Sequence, residues 1–228
     1  MINSDGSPRP LKVLVAHNAY KQRGGEDAVV EAEIALLRHH GHDVVEHRCS
    51  NDALDAQART RSLADTLWSR SAHALVHEAI GRHQPDVMHV HNTFPRLSPS
   101  IYWAAHKEGV PVVQTLHNFR LACAQATFLR NGQVCEACLH TLPWRGVVQR
   151  CYRGSLTQSS ALVGMLALHR ALGTFRSKVT RYIALSEFSK KKFIAAGLPA
   201  DRLSVKPNFV GASDRSLTNR QGGLFVGR

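Results

Sequence analysis

The sequence predicts a doubly wound α/β fold, a parallel sheet covered by helices on both faces. Three observations carry this. Three helical stretches each end at a glycine, each is followed at once by a short apolar run, and 43% of the 228 residues are apolar, enough for a full core. Repeated strand–helix–strand units pack as parallel strands joined by crossovers.

The elements follow in order. The polar opening "MINSDGSPRP", residues 1–10, reads as a disordered tail, and "LKVLVAH" after its two prolines as a buried first strand. In "GGEDAVVEAEIALLRHHG" Val29, Ala32 and Leu36 recur at helical spacing, Glu26 and Asp27 enrich the first turn, and Gly41 stands where a left-handed residue closes a helix. "DVVEHRC", residues 43–49, is a second strand. Residues 51–83 are rich in Ala, Arg and His with weak helical periodicity, and read as one or two surface helices. "PDVMHVHN" holds a strand over 86–91, and "SPSIYWAAHKEG" a helix from Pro99 to Gly109. "PVVQTLH" is a further strand, and residues 119–155 lack a sustained period, so they are expected to form an insertion ahead of a long helix near 156–177. "RYIALS", "EFSKKKFIAAG" and "DRLSVKPN" then read as strand, helix closed by Gly197, and strand. Residues 209–221, "FVGASDRSLTNRQ", have the composition of a linker, and "GGLFVGR" at 222–228 looks like the opening of another strand.

Composition narrows the function. There is no apolar run of 18 residues and no apolar signal-peptide core in the first residues, which favours a soluble cytoplasmic protein. A net charge of +12, from 29 Lys and Arg against 17 Asp and Glu, favours a polyanionic partner: nucleic acid, an anionic membrane surface or a phosphorylated substrate. The G-x-G-x-x-G and Walker patterns, the nucleophile elbow and H-E-x-x-H are all missing from the sequence.

In a parallel sheet, ligands bind beyond the carboxyl ends of the strands where strand order reverses. The first strand ends at His17 and leads to Gly24 and Gly25, directly before a helix N-terminus. Backbone N–H groups and the positive helix end can hold an anion there, although paired glycines also serve as plain loops. Two His-Asn pairs, His91-Asn92 and His117-Asn118, stand at other strand ends and are expected to face the same crevice.

At these residues a resemblance emerges. "GGED", "DVMHVHN", "TLHNFRLAC", "CYRGS", "IALSEFSKKKFIAAG" and "VKPNFV" occur in the order found in the N-terminal half of retaining family 4 glycosyltransferases of the GT-B fold, across residues 11–228. Such proteins place two Rossmann-like domains across a cleft. The resemblance implies that residues 11–208 are the acceptor-side domain, and that 209–228 are the linker and first strand of a donor-binding domain whose E-x7-E segment is not in this sequence. It also implies that the chain alone is inactive. Gly24 and Gly25 then match the loop that approaches the donor's diphosphate, with Glu26 and Asn118 beside the donor, and His117 matches the histidine that contacts the transferred sugar. His17, His91 and Asn92 would line the acceptor side. The partners implied are a nucleotide-sugar donor and a glycan or lipid-linked acceptor in polysaccharide biosynthesis, with no cofactor required, and the leaving phosphate helps deprotonate the acceptor, so that no protein nucleophile is needed.

Two features stand outside that scheme. Cys123, Cys135, Cys138 and Cys151 are spaced C-x11-C-x2-C-x12-C, which can close a structural zinc site but equally suits free thiols or a disulfide. The basic residues Arg170, Arg176, Lys178, Arg181, Lys190, Lys191 and Lys192 could dock peripherally on the inner face of an anionic membrane, or simply form a solvated face. A nucleic-acid-binding module stabilised by zinc is the competing reading. It is not expected, because Phe175, Tyr182 and Phe193 fall at packing positions rather than as exposed stacking platforms.

Overall fold

The computed structural model describes residues 9–19, 22–50 and 64–209. The tail expected over 1–10 and the linker and strand expected over 209–228 lie outside the described residues, apart from 9, 10 and 209.

Strands β1 (Lys12–Ala19), β2 (Asp43–Ser50), β3 (Val87–Asn92), β4 (Val112–Leu116), β7 (Arg181–Ala184) and β8 (Leu203–Val205) form a parallel sheet in the order β2-β1-β3-β4-β7-β8. This is the doubly wound, Rossmann-like α/β fold: from β1 the chain steps out to β2, then crosses back to place β3 on the other side of β1. Strand order therefore reverses between β1 and β3. The register there is irregular: Val15 pairs with His89 and Ala16 with Val90, but His17 pairs with Asn92, so His91 is the extra residue of a bulge. Bulges re-aim side chains beside functional sites.

Alternation along β1 builds two cores. Val13 and Val15 point to α1 (Gly25–His39) and pack with Val30, Ile34 and Val44. Leu14 and Ala16 point the other way, into a larger core with Met88 and Val90, with Val76 and Ile80 of α2 (Arg70–His83), and with Ile101 and Ala105 of α3 (Ser100–Lys107). Each fully buried Val, Leu or Ile contributes about 1.5–3 kcal/mol. Gly41, Gly109 and Gly197 have φ of 80°, 69° and 94°, the left-handed conformation that closes a helix and turns the chain into the next strand.

Two expectations are corrected by local geometry. The long helix expected over 156–177 is two helices, α5 (Leu156–Ala171) and α6 (Thr174–Ser177), because Gly173 adopts φ 66° and cannot continue the first. The insertion is less irregular than its sequence suggests. Leu129–Arg130 (β5) and Gln133–Val134 (β6) form an antiparallel hairpin across Asn131 and Gly132, whose φ values of 50° and 76° are those of a two-residue hairpin turn. The insertion also carries a short helix, α4 (Arg145–Val148), and a satellite core of Ala122, Cys123, Phe128 and Leu139. After β7 comes α7 (Glu187–Ala195). No helix among the described residues is long and apolar enough to cross a membrane.

Candidate active site

The site lies at the carboxyl end of the sheet, around the β1/β3 switch point, and is built from the strand ends and the N-terminus of α1. His17, at the end of β1, is fully buried, and its Nε2 lies 2.8 Å from Asp27 Oδ1. Burial, the dominant cause, holds the His17 pKa below its ordinary value although Asp27 pulls it upward. The ring is therefore neutral near pH 7 and donates Nε2–H to the carboxylate. The other oxygen of Asp27 accepts the Gly24 N–H at 2.7 Å. Asp27 thus ties the first turn of α1 to the end of β1, and it is this residue, beside the expected Glu26, that fixes the loop. Its signal was the third position of a helix whose first turn is acidic.

Gly24 opens α1 in an extended conformation, φ −114° and ψ −178°, open to any residue. A side chain at Gly25 would meet no atom of the described residues within 4 Å. Neither the backbone nor internal packing requires glycine at 25. The open space in front of the helix N-terminus is where an anion can approach the backbone N–H groups.

The two His-Asn pairs divide their labour. Both asparagines build turns: Asn92 Oδ1 accepts Phe94 N–H at 3.0 Å and Asn118 Oδ1 accepts Arg120 N–H at 3.0 Å. Asn92 Nδ2 also donates to Asn18 O at 3.2 Å, bridging β3 to β1. The two histidines meet. His91 Nδ1 and His117 Nε2 are 2.9 Å apart, with their rings stacked at 5.2 Å. His91 is buried, whereas His117, one residue beyond β4, is half-buried and has no protein partner for its Nδ1 among the described residues.

Behind this pair lies a polar cluster that the sequence reading did not single out. His89 and His91, two apart on β3, share the α1 face, and Glu33 of α1 comes down between them, its Oε2 3.8 Å from His89 Nδ1 and 3.6 Å from His91 Nε2. Its Oε1 pairs with Lys206, just past β8. His89 Nε2 lies 2.9 Å from Thr115 Oγ1. Legible signals were the H-x-H alternation on a strand and a glutamate placed, with Asp27, Val30 and Ile34, in the buried stripe of α1. Burial is the main force on all three imidazoles: it pushes His89 down to about 4, holds His91 well below its ordinary value, and pushes His117 down to about 4 against the opposing charge of Glu33. All three are neutral near pH 7.

Glu33, His89 and His91 are the one group among the described residues with three ligand-type atoms within 4.8 Å of one another, the spacing a metal ion needs. The ammonium of Lys206 on the same carboxylate disfavours a cation there. Cys123, Cys135, Cys138 and Cys151 are free thiols. They share one neighbourhood: burial raises the Cys138 pKa first, and Cys123, Cys151 and Cys135 raise it further, while the Gly146 N–H opposes.

The basic stretch is partly occupied. Arg170 donates to Thr141 O and Leu121 O at 2.9 and 2.8 Å and fastens the insertion to α5, Lys192 pairs with Glu136, and Lys178 stands 4.5 Å over the Trp103 ring. Phe175, Tyr182 and Phe193 are buried in the core.

A sequence-family model described as Glycosyltransferase Family 4 matches residues 23–213. No curated protein matches the chain. Solved structures similar to it include HepE from Anabaena in complex with UDP, at 15% identity and a TM-score of 0.43, covering 87% of this chain and 44% of that one. The lipopolysaccharide outer core galactosyltransferase WaaB in its apo form aligns at 12% identity and a TM-score of 0.49, over 90% of this chain and 47% of that one. UDP-GlcNAc 2-epimerase from Methanocaldococcus jannaschii aligns at 10% identity and a TM-score of 0.47, over 86% and 45%. The chain spans less than half the length of each of these three. The family match runs through the loop before α1, the β3 and β4 ends and the cysteine insertion, and by it the chain belongs to glycosyltransferase family 4.

Proposed function

We propose that the chain is the acceptor-side domain of a nucleotide-sugar-dependent glycosyltransferase that works with retention on a glycan or lipid-linked acceptor. In this reading, residues 209–221 link it to a second Rossmann-like domain whose first strand begins within 222–228 and which grips the donor. The observation that carries the reading is the family match over 23–213, together with a neutral histidine, His117, at the same carboxyl end of the sheet as the N-terminus of α1.

The chemistry asked of these residues is modest. The donor diphosphate lies against the N-terminus of α1 beside Gly24, whose own N–H is held by Asp27, and there the Gly25 N–H and the positive helix end meet the charge that develops as the glycosidic bond to phosphate breaks. His117 hydrogen-bonds a hydroxyl of the transferred sugar and holds the anomeric carbon in place. The departing phosphate oxygen takes the proton of the acceptor hydroxyl, so no protein nucleophile is needed. His17, His91 and Asn92 act from behind this surface as its support. The exposed Phe188 and Lys191 on α7 are the side chains we assign to docking beside a lipid-linked acceptor at the inner face of a membrane.

The test is the reading frame that follows the codon for Arg228. It should encode an E-x7-E segment, and the complete product should release nucleotide from at least one nucleotide-sugar in a radiolabelled panel, while the 228-residue chain alone releases none. Turnover by the chain alone would remove the division of labour between domains. A complete product inert toward the whole panel, with an acceptor extract present, would remove the transferase reading.

The insertion adds a second expectation. The four thiols, which sense one another electrostatically and of which Cys123 lies in the small satellite core, are read as a structural zinc site in which a bound ion would draw them together, since a core this small gains from a staple. Protein purified without chelator should carry about one equivalent of zinc, in keeping with a single four-thiolate site, and Cys138→Ser should release it. Metal-free protein whose four cysteines all react with a thiol reagent under native conditions would assign them as free thiols.

A further inference from the structure

We infer that Glu33 and His91 act as positioning residues that fix the tautomer of His117, with its proton on Nε2 and a bare Nδ1 facing the cleft. The functional meaning of that tautomer rests on the reading of His117 given above, but the arrangement itself does not.

The argument runs along one line of contacts. The Glu33 carboxylate is 5% exposed and held from one side by Lys206. Its free oxygen faces His91 Nε2 at 3.6 Å, and Nε2 is a buried atom with no hydrogen-bond partner of its own. A buried imidazole presents its N–H, not its lone pair, to a carboxylate, because the two negative lobes would otherwise face each other in a poorly screened site. His91 is neutral, so a proton on Nε2 leaves Nδ1 bare. Nδ1 sits 2.9 Å from His117 Nε2 and can then only accept, so His117 must donate from Nε2. His117 is neutral as well, and its Nδ1 is left as an acceptor. His89 Nδ1 stands 3.8 Å from the same Glu33 oxygen, but a carboxylate oxygen has two lone pairs and can face both rings, so His89 does not displace His91.

The carboxylate thus dictates, two contacts away, that the cleft meets a hydrogen-bond acceptor at His117. An acceptor suits a sugar hydroxyl, which donates, and it repels the phosphate oxygens, which cannot. The same three ligand atoms holding a metal ion would impose the reverse: with His91 Nε2 on the metal, Nδ1 would carry the proton and His117 would be protonated on Nδ1. The two arrangements predict opposite tautomers.

The experiment is long-range proton–nitrogen correlation NMR on the 15N-labelled 228-residue chain at pH 7.5. The expected spectrum shows protonated Nε2 and bare Nδ1 for both His91 and His117. In Glu33→Gln, the side-chain carbonyl stays with Lys206 and the amide donates to His91 Nε2, so both rings should switch to protonated Nδ1. A wild-type His117 protonated on Nδ1 overturns the proposal, and so does an unchanged His117 in a folded Glu33→Gln. If that variant does not fold, His91→Phe serves: His117 Nε2–H loses its acceptor, and its signal should broaden by exchange with water. Persistence of a sharp, protected Nε2–H in His91→Phe also overturns the coupling. These signals are read without turnover, so they stand or fall independently of the transferase assignment.

Discussion

In the two-domain transferase proposed above, His117→Ala should lower turnover about 100- to 1000-fold, the usual loss of ~2.7 to 4 kcal/mol for one contact that stabilises charge in a transition state. The residue begins the loop after β4, and Leu116 before it is core, so the backbone position is set by packing that the substitution leaves alone. What disappears is the half-buried imidazole at the strand end, together with its 2.9 Å bond to His91. That bond carries a smaller stability cost, on the order of 1 kcal/mol for a neutral pair.

Activity and melting temperature must be compared above pH 6.5. His89 and His117 are held down to about 4 in the fold but titrate near 6.5 when unfolded, so the unfolded chain takes up protons first. Their contribution to stability is complete above the unfolded value and is lost as pH falls from there toward 4. For the same reason, His117 contributes no ionisation to the rate profile between pH 6 and 9. Unchanged activity per folded molecule, with only a lower melting temperature, would return His117 to the role of a core histidine.

How much of this was legible in the sequence depends on how local its cause is. The helix ends were readable, because Gly41, Gly109 and Gly197 are demanded by a backbone conformation that belongs to the residue itself. The break at Gly173 has the same local cause, but it sits inside an apolar stretch whose period continues across it. The meeting of His91 with His117 was only half readable. Both strand ends could be placed, but the bulge that brings His91 out of step with His17 is a property of pairing between strands distant in sequence, Val13 with Val87 and His17 with Asn92, on which the period of two is silent. Lys206 reaching Glu33 from beyond the far edge strand is more remote still, set by where the chain turns after β8. Asp27 shows the finest margin: Glu26 and Asp27 both read as a favourable acidic first turn, and only their angular position on the helix decides which one faces β1.

That margin makes Asp27 the second place where a large effect is expected. Asp27→Ala should destabilise the chain by about 3 kcal/mol, because two hydrogen bonds to one buried charge are lost, and charged hydrogen bonds contribute roughly 1.5–3 kcal/mol each before relaxation. In a domain of this size that corresponds to a fall in melting temperature of roughly 6–12 °C. The cost is raised by what stays behind: His17 Nδ1 is already a buried nitrogen without a partner, and losing Asp27 leaves Nε2 in the same state, while the Gly24 N–H loses its acceptor at the helix start. Asp27→Asn should cost less, since its carbonyl can still accept from Gly24 while its amide meets His17 in the other tautomer. The competing account is an ordinary acidic residue on a helix N-terminus, with a contribution of only about 0.3–1 kcal/mol. Thermal unfolding of the three proteins at pH 7.5 separates the two: a fall under about 4 °C for Asp27→Ala, the most that 1 kcal/mol gives in a domain this large, would mean that the tie between β1 and α1 is not what holds the anion-facing turn. A large fall would instead place the stability of that turn in Asp27 itself, whose carboxylate holds the Gly24 N–H at the helix start and the His17 ring at the end of β1.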